Sequence, residues 1–438
     1  MKKIALYRGK TIDCDIFKPT DYTSFYENYS VSGGNVGNKL FNTATEKYIT
    51  NSYTKYEYFL YDEVNFIPFI KDNAAEEING NFDLVLMPQA NIFGNSDFHK
   101  KLLSMWSIGI SKIKIPVIVL GVGIQAKTER DLKVLAESIS KEAGNFIESV
   151  YKTGGTISLR GNYTKQFFDY LGYTNYCVTG CPSIFQRGKN FCIQKKSVRQ
   201  ENFKPIINGF HSLFYKKCFS QLFSAYKSSV YIDQDESARI FYDKNYFTSG
   251  KPKDFLGNKS ITELKLMSEK RYHLFYDLKT RFDFLINNEF NFSFGPRIHG
   301  NIMSILNNIP GFVYAIDLRT LELADLFCIP YAENITTIDL FEQLENWNYN
   351  KFNKNYTMLY KNFENFLLKN NVIEKDLDSE FIKFDSRFDS IQWIFPEIVN
   401  QVQIENMYAK IEKHYALYNF LDKSYYAYSK IKQNLGRR

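Results

Sequence analysis

Short apolar runs closed by turn residues, with amphipathic stretches between them, give this chain its first readable pattern. Ile4-Ala-Leu-Tyr7, Phe82-Asp-Leu-Val-Leu-Met87, Pro116-Val-Ile-Val-Leu120, Thr156-Ile-Ser-Leu159 and Tyr176-Cys-Val-Thr179 are of this kind. Runs this short and this apolar read as strands covered on both faces, which is the condition of a parallel sheet. Between them, Asp131 to Ala143 and Tyr163 to Leu171 carry helical periodicity, and Gly172 closes the second. Alternation of this kind predicts a doubly wound α/β sheet.

A second set follows the polar, basic stretch Gln186 to Lys204, with strands expected at Pro205-Ile-Ile-Asn208, Ser229-Val-Tyr-Ile232, Glu289-Phe-Asn-Phe-Ser293 and Gly311-Phe-Val-Tyr-Ala-Ile316. The expected architecture is therefore two Rossmann-like α/β domains facing each other across a cleft, the plan called GT-B-like. The boundaries read as 1–185, 186–395 and a tail at 396–438. A length of 438 residues agrees with more than one core, given roughly 150 residues per domain. The tail, Gln401 to Arg438, is basic, tyrosine-rich and helical in pattern. Its expected role is packing that straps the domains together; the competing role is a membrane-surface or oligomer contact.

Composition narrows the class without naming a reaction. Hydrophobic residues at 44% and charged residues at 24% describe an ordinary globular chain, which excludes large-scale disorder. A net charge of +7 spread along the sequence favours acidic ligands or an anionic membrane surface weakly, and does not indicate a nucleic-acid protein. No run reaches the ~18 apolar residues that a membrane span needs, and Met1-Lys-Lys-Ile-Ala-Leu-Tyr7 passes straight into a strand. The expected location is the cytoplasm; the competing role of the basic tail would add a peripheral contact at the inner face of the membrane. The cysteines Cys14, Cys177, Cys181, Cys192, Cys218 and Cys328 form no C-x-x-C pairs, so free thiols are expected. Cys177 and Cys181 are close, yet no second pair of metal ligands stands near them.

Chemistry concentrates at Phe292-Ser-Phe-Gly-Pro-Arg297-Ile298-His299-Gly300. A strand stops at Gly-Pro and delivers a permanent cation and a titratable imidazole to a helix expected over Asn301 to Asn308. The free N–H groups and positive dipole end of that helix point where Arg297 and His299 point, a setting for an anion undergoing proton transfer. Thr156-Ile-Ser-Leu-Arg160-Gly161-Asn-Tyr-Thr164 repeats the grammar in the first half. Each half thus offers one arginine at a strand end, and two arginines suit a ligand bearing a carboxylate and a phosphate.

Ile157-Ser-Leu-Arg-Gly161, Val178-Thr-Gly-Cys-Pro-Ser183, Gly295-Pro-Arg-Ile-His-Gly300 and Ala315-Ile-Asp-Leu-Arg-Thr320 with Glu322, in this order, resemble the polysaccharide pyruvyl transferase family. Gly121-Val-Gly-Ile-Gln125 is similar to it as well, and the resemblance covers roughly residues 30 to 330. The resemblance implies two Rossmann-like domains and transfer of the pyruvyl group of phosphoenolpyruvate onto two hydroxyls of a sugar as a cyclic ketal, with release of phosphate. The acceptor would belong to a bacterial surface polysaccharide, such as a capsule or exopolysaccharide, or to its lipid-linked precursor. Phosphoenolpyruvate would be a co-substrate, with no cofactor or metal required. Arg160, Arg297, Ile298, His299 and Gly300 would bind the donor, and His299 with Arg297 would carry the chemistry.

Acceptor residues are less legible. Ser32-Gly-Gly-Asn35-Val-Gly-Asn38 resembles a Gly-Asn-x-Gly-Asp element of the family, with Asn38 where an acid is common. Asn91 follows the strand expected at 82–87, where relatives carry a run of glycines, and Tyr231-Ile-Asp-Gln-Asp235-Glu236 ends a strand of the second half. Asn35, Asn38, Asn91 and Asp235 are therefore the acceptor candidates. Asp317, Arg319 and Glu322 read as an ion network ordering a turn, and His99, His211, His273 and His414 as core or surface residues. The same two-domain plan also suits a glycosyltransferase using a nucleotide sugar, for which Asp235 or Glu236 is the ribose-binding candidate. A third class is a polysaccharide-binding protein without turnover.

Overall fold

The apolar runs form two parallel sheets in the computed structural model, which describes residues 2–8, 36–51, 55–60, 72–234, 238–243, 260–275, 277–374 and 397–435. The first contains β1 (Lys3–Arg8), β2 (Lys55–Leu60), β3 (Leu84–Pro88), β4 (Asn91–Phe93), β5 (Val117–Ile124), β6 (Thr156–Leu159) and β7 (Tyr176–Val178). Its order is β2-β1-β3-β5-β6-β7, with β4 paired to the far end of β5. The second contains β8 (Pro205–Asn208), β9 (Val230–Asp233), β10 (Tyr272–Leu274), β11 (Phe292–Gly295), β12 (Gly311–Tyr314) and β13 (Tyr331–Ala332), ordered β10-β9-β8-β11-β12-β13. The order turns back on itself between β1 and β3 in one sheet and between β8 and β11 in the other. In such sheets the crevice at the carboxyl ends of the strands opens at that switch point.

Both sheets and the helical C-terminal segment are the architecture expected from the sequence. Four strands lay outside that reading. β2 alternates as Lys-Tyr-Glu-Tyr-Phe-Leu instead of running apolar, and β4, β10 and β13 are too short to show a period. β4 exists because β5 bends. Gly121 adopts φ +69°, the register against β6 shifts between Val119 and Val122, and the freed end of β5 pairs Gly123 with Asn91.

Two helix boundaries also differ. The stretch expected as one helix from Asp131 to Ala143 forms Arg130–Ser138 and Ser140–Lys152, broken at Ile139, whose side chain is fully buried. The helix expected from Asn301 runs instead over Ile298–Leu306, which draws His299 and Gly300 into its first turn.

The halves are joined by side chains from both. The long helix Tyr349–Lys369 leaves the second half and stacks Phe363 on Phe185 at 4.9 Å and against Tyr48 at 5.0 Å. Burial of each such ring contributes about 2 kcal/mol of hydrophobic stabilisation. Closer to the strand ends, Leu318 N–H donates to the Ala126 carbonyl at 3.1 Å.

The C-terminal segment forms Gln401–Lys413 and Tyr415–Leu435, separated at His414. Its inner face buries Ile404, Met407 and Ile411. Asp422 accepts from the Tyr215 hydroxyl at 3.0 Å and the Ile261 N–H at 3.2 Å, and Tyr426 stacks on Tyr215 at 3.9 Å. These contacts anchor the segment to elements of the second half, where a strap between the two halves was expected. Its outer face exposes Leu417, Phe420, Tyr428 and Ile431. Among the described residues no helix is long and apolar enough to cross a membrane.

Candidate anion site between the two halves

The second-half wall begins where β11 runs beside β8. Gly295 has φ +140°, and a Cβ there would lie 1.9 Å from the Asn208 carbonyl oxygen, so the strand can end this way only with glycine. Asn208 then starts a buried relay: its Nδ2 donates to Ser293 Oγ at 2.9 Å, Ser293 Oγ to Asn301 Oδ1 at 2.8 Å, and Asn301 Nδ2 to the Gly295 carbonyl at 2.8 Å. Each polar group is partnered out of water, so the relay ties the strand ends to the first turn of the helix Ile298–Leu306. Arg297 takes the N-cap position, and no side-chain hydrogen bond caps this helix. The Arg297 guanidinium lies 5.4 Å from the centre of the Phe210 ring, and its Nε donates to the Gly209 carbonyl at 3.4 Å. His299 is 9% exposed, with its ring 6.0 Å from that of Phe41, which belongs to the first-half helix Val36–Asn51.

The facing wall is built around Arg160, which is 1% exposed. Its Nε donates to the Gly121 carbonyl at 3.2 Å and its Nη1 to Asn91 Oδ1 at 3.2 Å, while Nη2 lies 3.9 Å from Cys181 Sγ. The lack of a side chain at Gly123 makes room for this, since a Cβ there would stand 3.0 Å from Asn91 Oδ1 and 3.2 Å from Arg160 Cδ. Cys181 Sγ in turn lies 3.7 Å from His299 Nε2 and 3.0 Å from Ser183 Oγ. Arg160 from one half and His299 from the other thus meet at a single sulfur. Arg297 turns instead to Gly209 and Phe210 within its own half. Asn91 joins the site through Arg160, and Asn38 stands half-buried on the helix that carries Phe41. Asn35, Asp235 and Glu236 lie outside the described residues, as does Cys14.

Among the described residues, cations outnumber acids in the charges that act on His299. Burial, and then the charges of Arg160, Arg319 and Arg281, push His299 down to about 3, so the imidazole is neutral at physiological pH. Arg281 comes from the helix Leu278–Asn287 and is 1% exposed, and burial lowers its guanidinium to about 9. Glu322 is the nearby acid. It is 1% exposed, and burial raises it to about 7 in spite of the N–H and O–H groups of Thr164 and the charge of Arg160.

Glu322 does not join the expected turn network. Asp317 caps its own helix through Thr320 and pairs with Arg319 at 3.0 Å, but Glu322 crosses to the first half. There it accepts from Thr164 N–H at 2.6 Å and Thr164 Oγ1 at 2.9 Å, filling the N-terminus of the helix Asn162–Tyr170. Gly161 admits it, because a Cβ there would fall 2.4 Å from Glu322 Cγ.

Arg281 was missed in the sequence, although a signal was present. Leu278, Arg281, Phe282 and Leu285 follow helical spacing, which places an arginine inside an apolar stripe. Of the remaining histidines, His99 lies beside the site, bonded to Ser96 at 2.6 Å and to the backbone of Asn91, and burial lowers it. His273 packs on Phe284 and burial lowers it to about 4, and His414 marks the break between the last two helices. The side chain of His211 is outside the described set.

A family model described as polysaccharide pyruvyl transferase matches residues 35–317. Among solved structures, a UDP-N-acetylglucosamine 2-epimerase is similar at 11% identity over 86% of this chain and 99% of that chain, with a TM-score of 0.41. The glycosyltransferase SnogD from Streptomyces nogalater is similar at 9% identity over 83% of this chain and 95% of that chain, with a TM-score of 0.30. No curated relative matches the chain.

Proposed function

We propose that this chain, which belongs to the polysaccharide pyruvyl transferase family and is a transferase, moves the pyruvyl group of phosphoenolpyruvate onto two hydroxyls of one sugar as a cyclic ketal. The observation that carries this reading is the meeting of Arg160 and His299, one from each half, at Cys181. Beside them lies the helix start at Ile298, with Arg297 at its N-cap, and with Arg160 this is a cationic environment suited to a ligand with both a carboxylate and a phosphate.

The reaction converts the methylene carbon of the donor to a methyl group, forms two C–O bonds at the central carbon and breaks its bond to the phosphate oxygen. Of the two hydroxyl protons of the acceptor, one ends on the methyl carbon and the other on the released phosphate. A bound dianion offsets the arginines around His299 and raises the proton affinity of the imidazole, so that with donor bound the ring is protonated and gives its proton to the methylene carbon. The neutral imidazole then takes a proton from the attacking hydroxyl, passes it to the departing phosphate, and is protonated again by the second hydroxyl. Of the acceptor candidates, Asn91, held against Arg160, and Asn38, on the helix Val36–Asn51, are the ones within the described residues. The acceptor is a glycan of a bacterial surface polysaccharide or its lipid-linked precursor, handled in the cytoplasm. The exposed stripe Leu417, Phe420, Tyr428 and Ile431, beside Lys423 and Lys430, supports a peripheral contact with an anionic membrane face where a lipid-linked acceptor would be presented.

Acceptor-dependent phosphate release from phosphoenolpyruvate tests this reading. His299→Ala and Arg297→Ala should each lower it by about a hundredfold or more. Wild-type turnover in either variant would remove these residues from the site. Thermal stabilisation by a nucleotide sugar, with none by phosphoenolpyruvate, would replace pyruvyl transfer with glycosyl transfer.

A further inference from the structure

Arg281 is the buried group that the reading above leaves unused. Its Nη2 donates to Asn208 Oδ1 at 2.8 Å, its Nε has no hydrogen-bond partner, and among the described residues no carboxylate pairs with it. An uncompensated guanidinium at 1% exposure is costly, because desolvation of a charge is repaid only by an opposite charge or a full set of hydrogen bonds. Its position suggests what repays it. Gly300 lies in the first turn of Ile298–Leu306, and a Cβ there would stand 2.9 Å from Arg281 Nη2 and 2.6 Å from Asn208 Oδ1. The missing side chain lets the guanidinium stand directly behind the helix start, where unbonded N–H groups and the dipole already favour an anion.

We propose that Arg281, Gly300 and the first turn of Ile298–Leu306 form the subsite for a phosphate dianion, with Arg281 supplying its buried positive charge. This rests on the pyruvyl-transfer reading only for the identity of the phosphate carrier; the chemistry named is that of a phosphomonoester or free phosphate. The charges that act on the neighbouring His299 are Arg160 from the end of β6, Arg319 from Leu318–Leu326 and Arg281 from Leu278–Asn287. Arg281 also adds to the charge that holds His299 neutral, so filling the subsite would return proton affinity to the imidazole.

The full-length protein is titrated with inorganic phosphate and with phosphoenolpyruvate by calorimetry and thermal shift, as wild type, Arg281→Gln and Arg281→Lys. Gln keeps a donor for Asn208 while removing the charge. The expected result is phosphate binding weakened about tenfold or more in Arg281→Gln, equivalent to about 1.4 kcal/mol. Its ligand-free melting temperature should equal or exceed that of the wild type, because a strained charge has been removed. Arg281→Lys keeps the charge without the planar fork, should bind phosphate with intermediate affinity, and serves if the Gln variant does not fold. Phosphate affinity unchanged in Arg281→Gln, or no phosphate binding by the wild type, overturns the subsite. Loss of phosphate binding in the variant, with phosphoenolpyruvate never turned over by the wild type, would uphold the subsite and sink pyruvyl transfer. Equal turnover in wild type and Arg281→Gln would sink the subsite alone.

Discussion

The corners after β6 and after β11 are written in nearly the same residues and do different things. Both run strand, arginine, glycine and helix start, as Leu159-Arg160-Gly161 into Asn162–Tyr170 and as Gly295-Pro-Arg297 into Ile298–Leu306 with Gly300. At the first, the Glu322 carboxylate arrives from the other half and satisfies Thr164, so the helix N-terminus is filled from within the protein. At the second, no side chain caps the helix and a buried guanidinium stands behind its first turn. One corner has become a latch between the halves, and the other is the one proposed to receive an anion. The difference lies in what the rest of the fold brings to each, since a helix N-terminus accepts either an internal carboxylate or an external anion for the same electrostatic reason.

The sharpest way to break this comparison is to exchange the consequences of damage at the two corners. Arg297→Ala should remove activity, as stated above, and leave the melting temperature near the wild-type value. Gly161→Ala should do the reverse. Gly161 has φ 177°, an extended value open to any residue, so the cost is steric: the new methyl meets the buried Glu322 side chain and either displaces the carboxylate or separates the halves. A loss of about 1–3 kcal/mol in denaturant unfolding is expected. A neutral result would mean that the latch contributes nothing.

Smaller effects come from protonation at the two corners, and they have opposite signs. Glu322 keeps its proton to about pH 7 when folded and loses it near 4.5 when unfolded, so the folded state binds more protons between these values. Stability from this group is present below about pH 4.5 and falls as pH rises toward 7. Glu322→Gln should flatten that fall, a change of at most about 3 kcal/mol across the window, and equal slopes in both proteins would exclude the shift. His299 works the other way. Its folded value near 3 lies below its ordinary 6.5, so its contribution is present above 6.5 and is lost as pH drops toward 3. His299→Asn should therefore shallow the acid limb of the stability profile, and a limb as steep as that of the wild type would show that the buried imidazole is not its source.

The two corners also mark how far the chain could be read in advance. The parallel sheets were legible because β5, β6, β8 and β11 are short apolar runs with all or nearly all residues buried, a pattern local to each segment. β4 was not, because three residues have no period and the strand forms only after Gly121 bends its neighbour. Arg160 and His299 stood out as chemistry at strand ends, and Asn91 reached the same place. The path of Glu322 was hidden, since its partner Thr164 lies 158 residues away and nothing local distinguishes it from the Asp317–Arg319 pair beside it. Arg281 left a trace as a charge on an apolar helix face, but a periodicity argument takes such a residue for an exception to the stripe rather than for its purpose.

The sequence by itself determined the elements, the two parallel sheets and the residues able to meet an anion, because burial periodicity, strand-ending glycines and side-chain charge are properties of short segments. Only the tertiary structure decided which helix start was filled by Glu322, which arginine was left buried without a carboxylate, and that Arg160 and His299 share Cys181. Those outcomes depend on the approach of groups far apart in the chain. In a low-dielectric interior, that approach decides whether a charge is compensated within the protein or remains for a ligand to compensate.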